Sequence, residues 1–203
     1  MKANNLASVL EQYDNLKTDR IIKAFREVDR LDFIPVALAD QAYIDYPLPL
    51  GYGSTISQPS TVAFMLEELE PKAGDKILEV GSGSGWVTTL LAKIVGSRGK
   101  VFGVEIIPEL IATSRRHLER YEVDWAKILK ATTIGYPEEA PYDRIIVSAA
   151  ADTLPKELVL QLKKGGKMIV PVGNVIVLID KQDENTLNKT EFPGYTFVPL
   201  RPI

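Results

Sequence analysis

Residues 76–85 read KILEVGSGSG, and this stretch decides the fold. Its first five residues form a short, mainly apolar run that is typical of a buried strand, and glycine then occupies every second position from Gly81 to Gly85. The segment that begins at Trp86 has apolar residues at helical spacing. Since glycine permits a positive φ and a close approach of the backbone to a ligand, the stretch predicts a strand, a ligand-binding loop and a helix.

The alternation of strand and helix continues along the chain. Apolar, β-rich segments predict further strands at residues 100–105, 126–130, 143–148 and 167–172. Helical spacing predicts helices at residues 86–95, 108–121 and 154–162. This order indicates a doubly wound, Rossmann-like α/β fold whose sheet is mostly parallel and covered on both faces. At the end of the chain, residues 175–180 and 196–200 predict an antiparallel hairpin around the polar stretch 181–189.

The residues before the sheet predict helices at about 5–28 and at 60–69. Between them, the stretch 46–59 is rich in proline and glycine and predicts a long irregular loop, a kind of loop that often carries functional residues. The length of 203 residues fits one domain. We expect its parts to be N-terminal helices and loop (1–70), an α/β core (71–173) and the C-terminal hairpin (174–203).

Composition argues against several classes of function. The chain has no cysteine and one histidine, His117, so we expect no metal site; the charged neighbours of His117 predict a solvated side chain. A net charge of −3 argues against a nucleic-acid partner. No apolar run approaches the roughly 18 residues of a membrane span, and the first residues lack the apolar core of a signal peptide. We therefore expect a cytoplasmic protein with no membrane partner.

Two acidic residues give the glycine loop a specific chemistry. Glu105 ends the next predicted strand, where a carboxylate accepts hydrogen bonds from ribose hydroxyl groups. Glu79 precedes the loop, where it would repel a pyrophosphate and suits the ammonium group of a methionine moiety. A dinucleotide fingerprint needs G-x-G-x-x-G, and Trp86 stands where its last glycine falls. S-adenosylmethionine is thus favoured over a dinucleotide, with a plain tight turn beside a surface glutamate as the remaining alternative.

Several further segments carry a resemblance to a known family. They are DYPLPLGYG (45–53), TISQP (55–59), VEI (104–106), GYPEEAPYD (135–143), AAA (149–151), PVG (171–173) and FVPL (197–200). With these segments the chain resembles the protein-L-isoaspartate O-methyltransferase family over residues 19–200. The resemblance implies a class I S-adenosylmethionine-dependent methyltransferase that methylates the carboxylate of L-isoaspartyl or D-aspartyl residues in damaged peptides and proteins. The product of the cofactor would be S-adenosyl-L-homocysteine.

The resemblance also implies the residues of the site. Ser57 would orient the reacting carboxylate, although its position before a predicted helix also suits an N-cap. The cofactor site would comprise Glu79, Gly81, Ser82, Gly83, Gly85, Glu105, Ile106 and Thr132. The substrate site would comprise Leu48, Pro49, Thr55, Ile56, Ser57, Ala149 and Ala150. Since a carboxylate with a pKa of about 4 is ionised at neutral pH, the reaction would need no general base.

The sequence departs from the family pattern at two places. Lys130, Ala131 and Thr132 stand where the family has Gly-Asp-Gly, whose aspartate accepts a hydrogen bond from the adenine amino group. Losing a hydrogen bond to a charged acceptor, worth about 1.5–3 kcal/mol, weakens binding by about 10- to 150-fold, unless Thr132 or Thr133 substitutes. The loop after Gly173 is also short. The alternatives are a relative with weak cofactor binding that acts as a binding module, and a methyltransferase for another small carboxylate or for RNA.

Overall fold

The computed structural model describes residues 3–184 and 186–202 of the chain. The helices are α1 (Ala3–Gln12), α2 (Asp19–Glu27), α3 (Pro59–Leu69), α4 (Trp86–Val95), α5 (Pro108–Arg120) and α6 (Lys156–Gln161). The strands are β1 (Leu48–Gly51), β2 (Ser54–Ile56), β3 (Lys76–Val80), β4 (Lys100–Glu105), β5 (Ala126–Lys130), β6 (Tyr142–Val147), β7 (Leu162–Val172), β8 (Val175–Lys181) and β9 (Leu187–Pro193). The single domain predicted over residues 1–203 includes Met1, Lys2, Asn185 and Ile203, which lie outside the described residues.

The main sheet has the strand order β5-β4-β3-β6-β7-β8-β9. Neighbouring strands from β5 to β7 are parallel, whereas β8 and β9 run antiparallel to their neighbours. From β3 the chain moves outward to β4 and β5, and it then returns to β6 on the other side of β3. The carboxyl ends of the strands at such a reversal form a crevice for ligands. The predicted doubly wound, mostly parallel sheet is therefore confirmed.

Both faces of this sheet are buried, which explains why its strands read as apolar runs. Ile77 of β3 packs in a core with Leu66 of α3 and Leu90 of α4. The adjacent Leu78 packs in a second core with Leu158 of α6. Because side chains alternate across a strand, both positions require apolar residues. The two cores fix β3, so the glycine loop leaves the sheet from a rigid position.

The C-terminal hairpin exists, but the prediction of its second strand was wrong. Strand β8 pairs with β9, which begins within the polar stretch 181–189 that we expected to be the connection. Since β9 is the edge strand of the sheet and its side chains are mostly exposed, its sequence carries little apolar signal. Residues 196–200 instead form a tail, which Pro199 joins to Ala150 through a single β-bridge.

The stretch 46–59, predicted as an irregular loop, contains a small antiparallel hairpin of β1 and β2. Its turn runs through Gly51, Tyr52 and Gly53, all with positive φ. The hairpin was missed because β1 and β2 are short and contain proline and glycine. It carries Thr55 toward the carboxyl edge of the main sheet.

No helix in residues 3–184 or 186–202 is long and apolar enough to cross a membrane. The same residues contain no group of three or more acidic or histidine side chains that could hold a metal ion.

Candidate active site

The glycine loop follows β3 and turns directly into α4. Gly81, Gly83 and Gly85 have φ of 80°, 52° and 82°, a region that other residues rarely adopt. The amide of Gly81 donates to the carbonyl of Val104 at 2.9 Å, which ties the loop to β4. A Cβ atom on Gly85 would lie 2.9 Å from the Cβ atom of Ser114 in α5, so the absence of a side chain at Gly85 lets α5 pack closely against the loop. Gly81 and Gly83 face the crevice, whereas Gly85 serves the scaffold.

Glu105 holds the loop from the end of β4. Its Oε2 atom accepts from the amide of Gly83 at 2.9 Å, and its Oε1 atom accepts from the amides of Ile106 and Ile107 at 2.7 and 3.1 Å. A carboxylate offers about four acceptor positions. The three backbone bonds therefore leave acceptor capacity on Oε2, the oxygen nearer the loop. Glu105 can thus fix the loop and still accept a hydroxyl group of a ligand.

Glu79 lies deeper than the sequence suggested. The side chain is 1% exposed, and its carboxylate accepts hydrogen bonds from the hydroxyl groups of Thr88 and Ser148, the latter at 2.9 Å. Burial raises the pKa of Glu79 to about 7, and the nearby charge of Glu105 acts in the same direction. The alternative of a plain turn beside a surface glutamate is therefore wrong: Glu79 forms a buried network beneath the loop, and its role toward a methionine ammonium group stays a prediction.

This buried carboxyl group predicts an unusual dependence of stability on pH. Folded Glu79 binds its proton more tightly than the unfolded chain, where the pKa is near 4.5. Its contribution to stability is present below that value and is lost as pH rises through about 7. Glu79→Gln mimics the neutral acid. We therefore expect its free energy of unfolding, relative to that of the wild type, to rise by about 2–3 kcal/mol between about pH 5 and 8. Urea denaturation across this pH range measures the difference, and parallel curves for the two proteins would contradict it.

A partly open cavity, here called the loop cavity, lies at the carboxyl edge of β3, β4 and β6. Its lining includes Gly53, Ser54, Thr55, Gly81, Gly83, Glu105, Ile106, Ala131, Thr133, Ser148, Ala149, Val198, Pro199, Leu200 and Arg201. Thr133 lines the cavity, whereas the predicted Thr132 is exposed and does not. Four of the predicted cofactor residues, Gly81, Gly83, Glu105 and Ile106, thus surround one space.

An open cleft, lined by residues of α3, the hairpin and the tail, adjoins the loop cavity. Its lining includes Tyr46, Pro47, Thr55, Ser57, Gln58, Phe64, Ser148, Tyr195, Phe197 and Val198. A smaller connecting cavity joins the two spaces and is lined by Thr55, Ile56, Ser57, Glu79, Ser82 and Ser148, among others. Thr55 and Ser148 line all three spaces. A ligand in the loop cavity and a second molecule in the cleft would therefore meet beside these two hydroxyl groups.

Ser57 lies at this junction and is half-buried. Helix α3 begins after Gln58, and Asp45, not Ser57, accepts the amide of Ser60 in its first turn at 2.8 Å. The alternative role of Ser57 as an N-cap is therefore wrong. Its hydroxyl group has no hydrogen-bond partner among the residues that the structure describes. It is available to a molecule in the cleft.

The other predicted substrate residues do not line the cleft. Leu48 and Ile56 are each 3% exposed and pack in the core, although Ile56 also borders the connecting cavity. Pro49 is exposed on the other side of the hairpin's first strand and lines none of the three spaces. Ala149 lines the loop cavity. Ala150 holds the tail over it, because its amide donates to the carbonyl of Val198 at 2.8 Å and its carbonyl accepts from Leu200 at 2.7 Å.

His117 is not solvated, contrary to expectation. Its ring is half-buried and packs edge-on against Phe33, with centroids 4.9 Å apart. The Nδ1 atom lies 2.8 Å from the carbonyl oxygen of Ser84, so Nδ1 carries the hydrogen that the carbonyl accepts. Burial lowers the pKa of His117 below its usual value, which favours this neutral form. His117 thus steadies the glycine loop from α5.

Sequence reasoning missed Ser148 and the tail residues of the loop cavity, and it considered Thr133 only as a substitute for the aspartate of the family pattern. Ser148 follows β6 directly, and the rule that ligands bind at the carboxyl ends of strands beside the reversal would have selected it. The tail had no such signal, because its place over the site depends on its bonds to Ala150.

Comparisons with known proteins point to one family. The family model of "Protein-L-isoaspartate(D-aspartate) O-methyltransferase (PCMT)" matches residues 1–202. The protein-L-isoaspartate O-methyltransferase of Methanopyrus kandleri is 42% identical over 201 residues, which cover 96% of this chain and 89% of the relative. Protein-L-isoaspartate O-methyltransferase 2 of Archaeoglobus fulgidus is 42% identical over 204 residues and covers 98% and 93%.

Two solved structures have the same architecture. A Plasmodium falciparum beta-aspartate methyltransferase in complex with S-adenosyl-L-homocysteine superposes with a TM-score of 0.87 at 28% identity, over 99% of both chains. A second protein-L-isoaspartate O-methyltransferase superposes with a TM-score of 0.88 at 28% identity, over 98% of this chain and 66% of that one.

Proposed function

This chain belongs to the protein-L-isoaspartate(D-aspartate) O-methyltransferase family, and we propose that it methylates the carboxylate of L-isoaspartyl and D-aspartyl residues in damaged proteins. The methyl donor is S-adenosylmethionine, and the product of the donor is S-adenosyl-L-homocysteine, which the Plasmodium falciparum relative binds. The observation that carries the proposal is the junction of the loop cavity and the cleft beside Thr55, Ser148 and the unpaired hydroxyl group of Ser57.

The residues around the loop cavity fit this cofactor. Glu105 retains acceptor capacity for a ribose hydroxyl group, and Gly81 and Gly83 leave the backbone of the loop open to the ligand. The buried hydroxyl group of Ser82 has no hydrogen-bond partner among the described residues and borders the connecting cavity, so a polar group of a ligand would satisfy it. We assign the ribose to Glu105 and Ile106, and the methionine end to residues 81–83. When bound, S-adenosylmethionine supplies an electrophilic sulfonium methyl group.

The chain's own task is then to orient a nucleophile that the substrate provides. The substrate carboxylate is ionised at neutral pH, so no side chain has to remove a proton. Ser57 donates a hydrogen bond to this carboxylate, and Thr55 forms the wall between cleft and loop cavity. Holding two reacting groups in line is worth several orders of magnitude in rate. The side chains that line the cleft are neutral, and several of them are aromatic.

The experiment that tests this function compares two peptides that differ only in one linkage. The purified chain is incubated with radiolabelled S-adenosylmethionine and either an isoaspartyl peptide or the same peptide with a normal aspartyl bond. We expect base-labile methyl ester on the isoaspartyl peptide alone. Equal labelling of the two peptides, or no labelling of either, would overturn the proposal.

At the adenine end of the cofactor site, we expect one substitution to raise the affinity for S-adenosylmethionine. Ala131 is 8% exposed and lines the loop cavity, at the position where the resemblance places an aspartate. For Ala131→Asp, we expect cofactor binding about 10-fold tighter or more, since a charged acceptor for the adenine amino group contributes about 1.5–3 kcal/mol. Calorimetric titration measures the dissociation constant. Thr132→Asp is the matched control, because Thr132 is exposed outside the cavity and should leave the constant unchanged. An equal effect of the two substitutions would refute the assignment.

A further inference from the structure

Arg30 is completely buried and bonds both ends of the segment that carries the substrate hairpin. One terminal nitrogen of its guanidinium donates to the carbonyl oxygens of Tyr46 at 2.8 Å and Ser57 at 3.1 Å. These two residues flank β1 and β2 on either side. The other terminal nitrogen donates to the carbonyl oxygens of Ala42 at 2.9 Å and Ile44 at 3.3 Å. A single side chain therefore closes the base of the hairpin.

The same guanidinium contacts the cofactor side of the site. It lies 5.5 Å from the centre of the Trp86 ring, in a cation–π contact. Trp86 is the first residue of α4 and follows the glycine loop directly. Arg30 thus stands between the glycine loop, which lines the loop cavity, and the hairpin, which lines both the loop cavity and the cleft.

The charge of Arg30 has no carboxylate partner within ion-pair distance among residues 3–184 and 186–202. The nearby Asp45 acts on it electrostatically, but its carboxylate accepts from Ser60 and Gln58. Burial lowers the pKa of Arg30 to about 10. A buried cation is costly unless hydrogen bonds compensate it, so the four carbonyl bonds are what keeps Arg30 in place. The backbone of residues 42–57 and the buried cation therefore stabilise each other.

We propose that Arg30 is a positioning residue for methyl transfer, which holds Ser57 and Thr55 at the correct distance from the glycine loop. The proposal rests on the methyltransferase function and deepens it. The planar guanidinium is essential to it, because its fork reaches several carbonyl oxygens at once, whereas the ammonium of lysine is a point charge on a flexible stem. Lysine at this position would keep the charge and release at least one end of the hairpin.

For Arg30→Lys we expect kcat to fall by about 10- to 100-fold, since a displacement of about 1 Å in a positioning element has effects of this size. The dissociation constant of S-adenosylmethionine should change much less than kcat, because Arg30 does not line the loop cavity and the bonds between Glu105 and the glycine loop do not involve it. Hydrogen exchange should also accelerate at the backbone amides of β1 and β2 and not in β3. Kinetics with the isoaspartyl peptide, calorimetry and exchange mass spectrometry measure the three quantities.

Arg144→Lys is the matched control. Arg144 is also buried, at 7% exposure, and its guanidinium also donates to carbonyl oxygens, those of Leu69 at 2.8 Å and Asp143 at 2.9 Å. It lies in the first half of β6, toward the amino ends of the parallel strands, whereas the site lies at their carboxyl ends. We expect Arg144→Lys to lower the melting temperature while kcat and exchange in the hairpin stay at wild-type values.

The outcomes separate the inference from the proposed function. If the wild type transfers no methyl group, the function fails, and exchange in the hairpin still tests whether Arg30 holds it. If Arg30→Lys matches Arg144→Lys in kcat and in hairpin exchange, the inference is overturned. Should Arg30→Lys not fold, Arg30→Gln, which removes the buried charge and keeps two N–H donors, takes its place. If neither folds while Arg144→Lys does, Arg30 serves folding alone, and the inference is likewise overturned.

Discussion

Glu105→Gln is expected to weaken the binding of S-adenosylmethionine by about 100-fold or more. The carboxylate accepts three backbone amides with two oxygens, whereas an amide side chain has one oxygen and an NH₂ group. In either orientation, that NH₂ group faces a backbone N–H. With the oxygen toward Ile106 and Ile107, the bond to Gly83 and the acceptor for the ribose are both lost. Two hydrogen bonds to a charged acceptor contribute about 3–6 kcal/mol, which corresponds to at least about 100-fold in affinity.

Calorimetric titration of Glu105→Gln against Glu109→Gln tests this prediction. Glu109 lies exposed in the first turn of α5, so its substitution makes the same chemical change outside the loop cavity. We expect wild-type affinity for the control and weak or undetectable binding for Glu105→Gln. An affinity within about threefold of the wild type would show that Glu105 neither orders the glycine loop nor binds the ribose.

The sequence predicted the α/β core closely because its signals are local. The strand before the glycine loop, the loop itself and helix α4 were predicted with the bounds that the structure has. There, apolar periodicity, glycine and the order of strands and helices all indicate the same structure. The position of Glu105 follows from the same order, since parallel neighbouring strands bring their carboxyl ends together.

The rest of the site depends on contacts between distant residues, which local patterns do not report. The tail covers the loop cavity because its backbone pairs with Ala150. Edge strand β9 was missed because backbone pairing with β8 holds it in the sheet, while its mostly exposed side chains give no apolar pattern. Leu48 was assigned to the substrate site because it lies in the segment 45–53, which carries the resemblance to the family. Its side chain is instead buried in the core. Arg30 gave no signal, because its partners are carbonyl groups, which every residue has.

Ser57→Ala should lower kcat by about 10- to 100-fold and change the KM for the isoaspartyl peptide much less. The substrate carboxylate loses negative charge as it forms the new bond, so a hydrogen bond from Ser57 does not become stronger during the reaction. Its effect is to orient the carboxylate toward the loop cavity. Ser57 suits this role because its hydroxyl group is unpaired, while its own carbonyl is fixed by Arg30.

Two further variants decide whether the hydroxyl group of Ser57 is what matters. Ser57→Thr keeps this hydroxyl group and should recover most of the rate. Ser60→Ala removes a hydroxyl group that lines the same cleft but is already paired with Gln58 at 2.9 Å, so its kcat should stay within about threefold of the wild type. Steady-state kinetics with the isoaspartyl peptide at saturating cofactor measure all three variants. If Ser57→Ala and Ser60→Ala lose the same activity, or if threonine restores nothing, the cleft acts through its shape, and the reacting carboxylate must be oriented by the backbone of the hairpin instead.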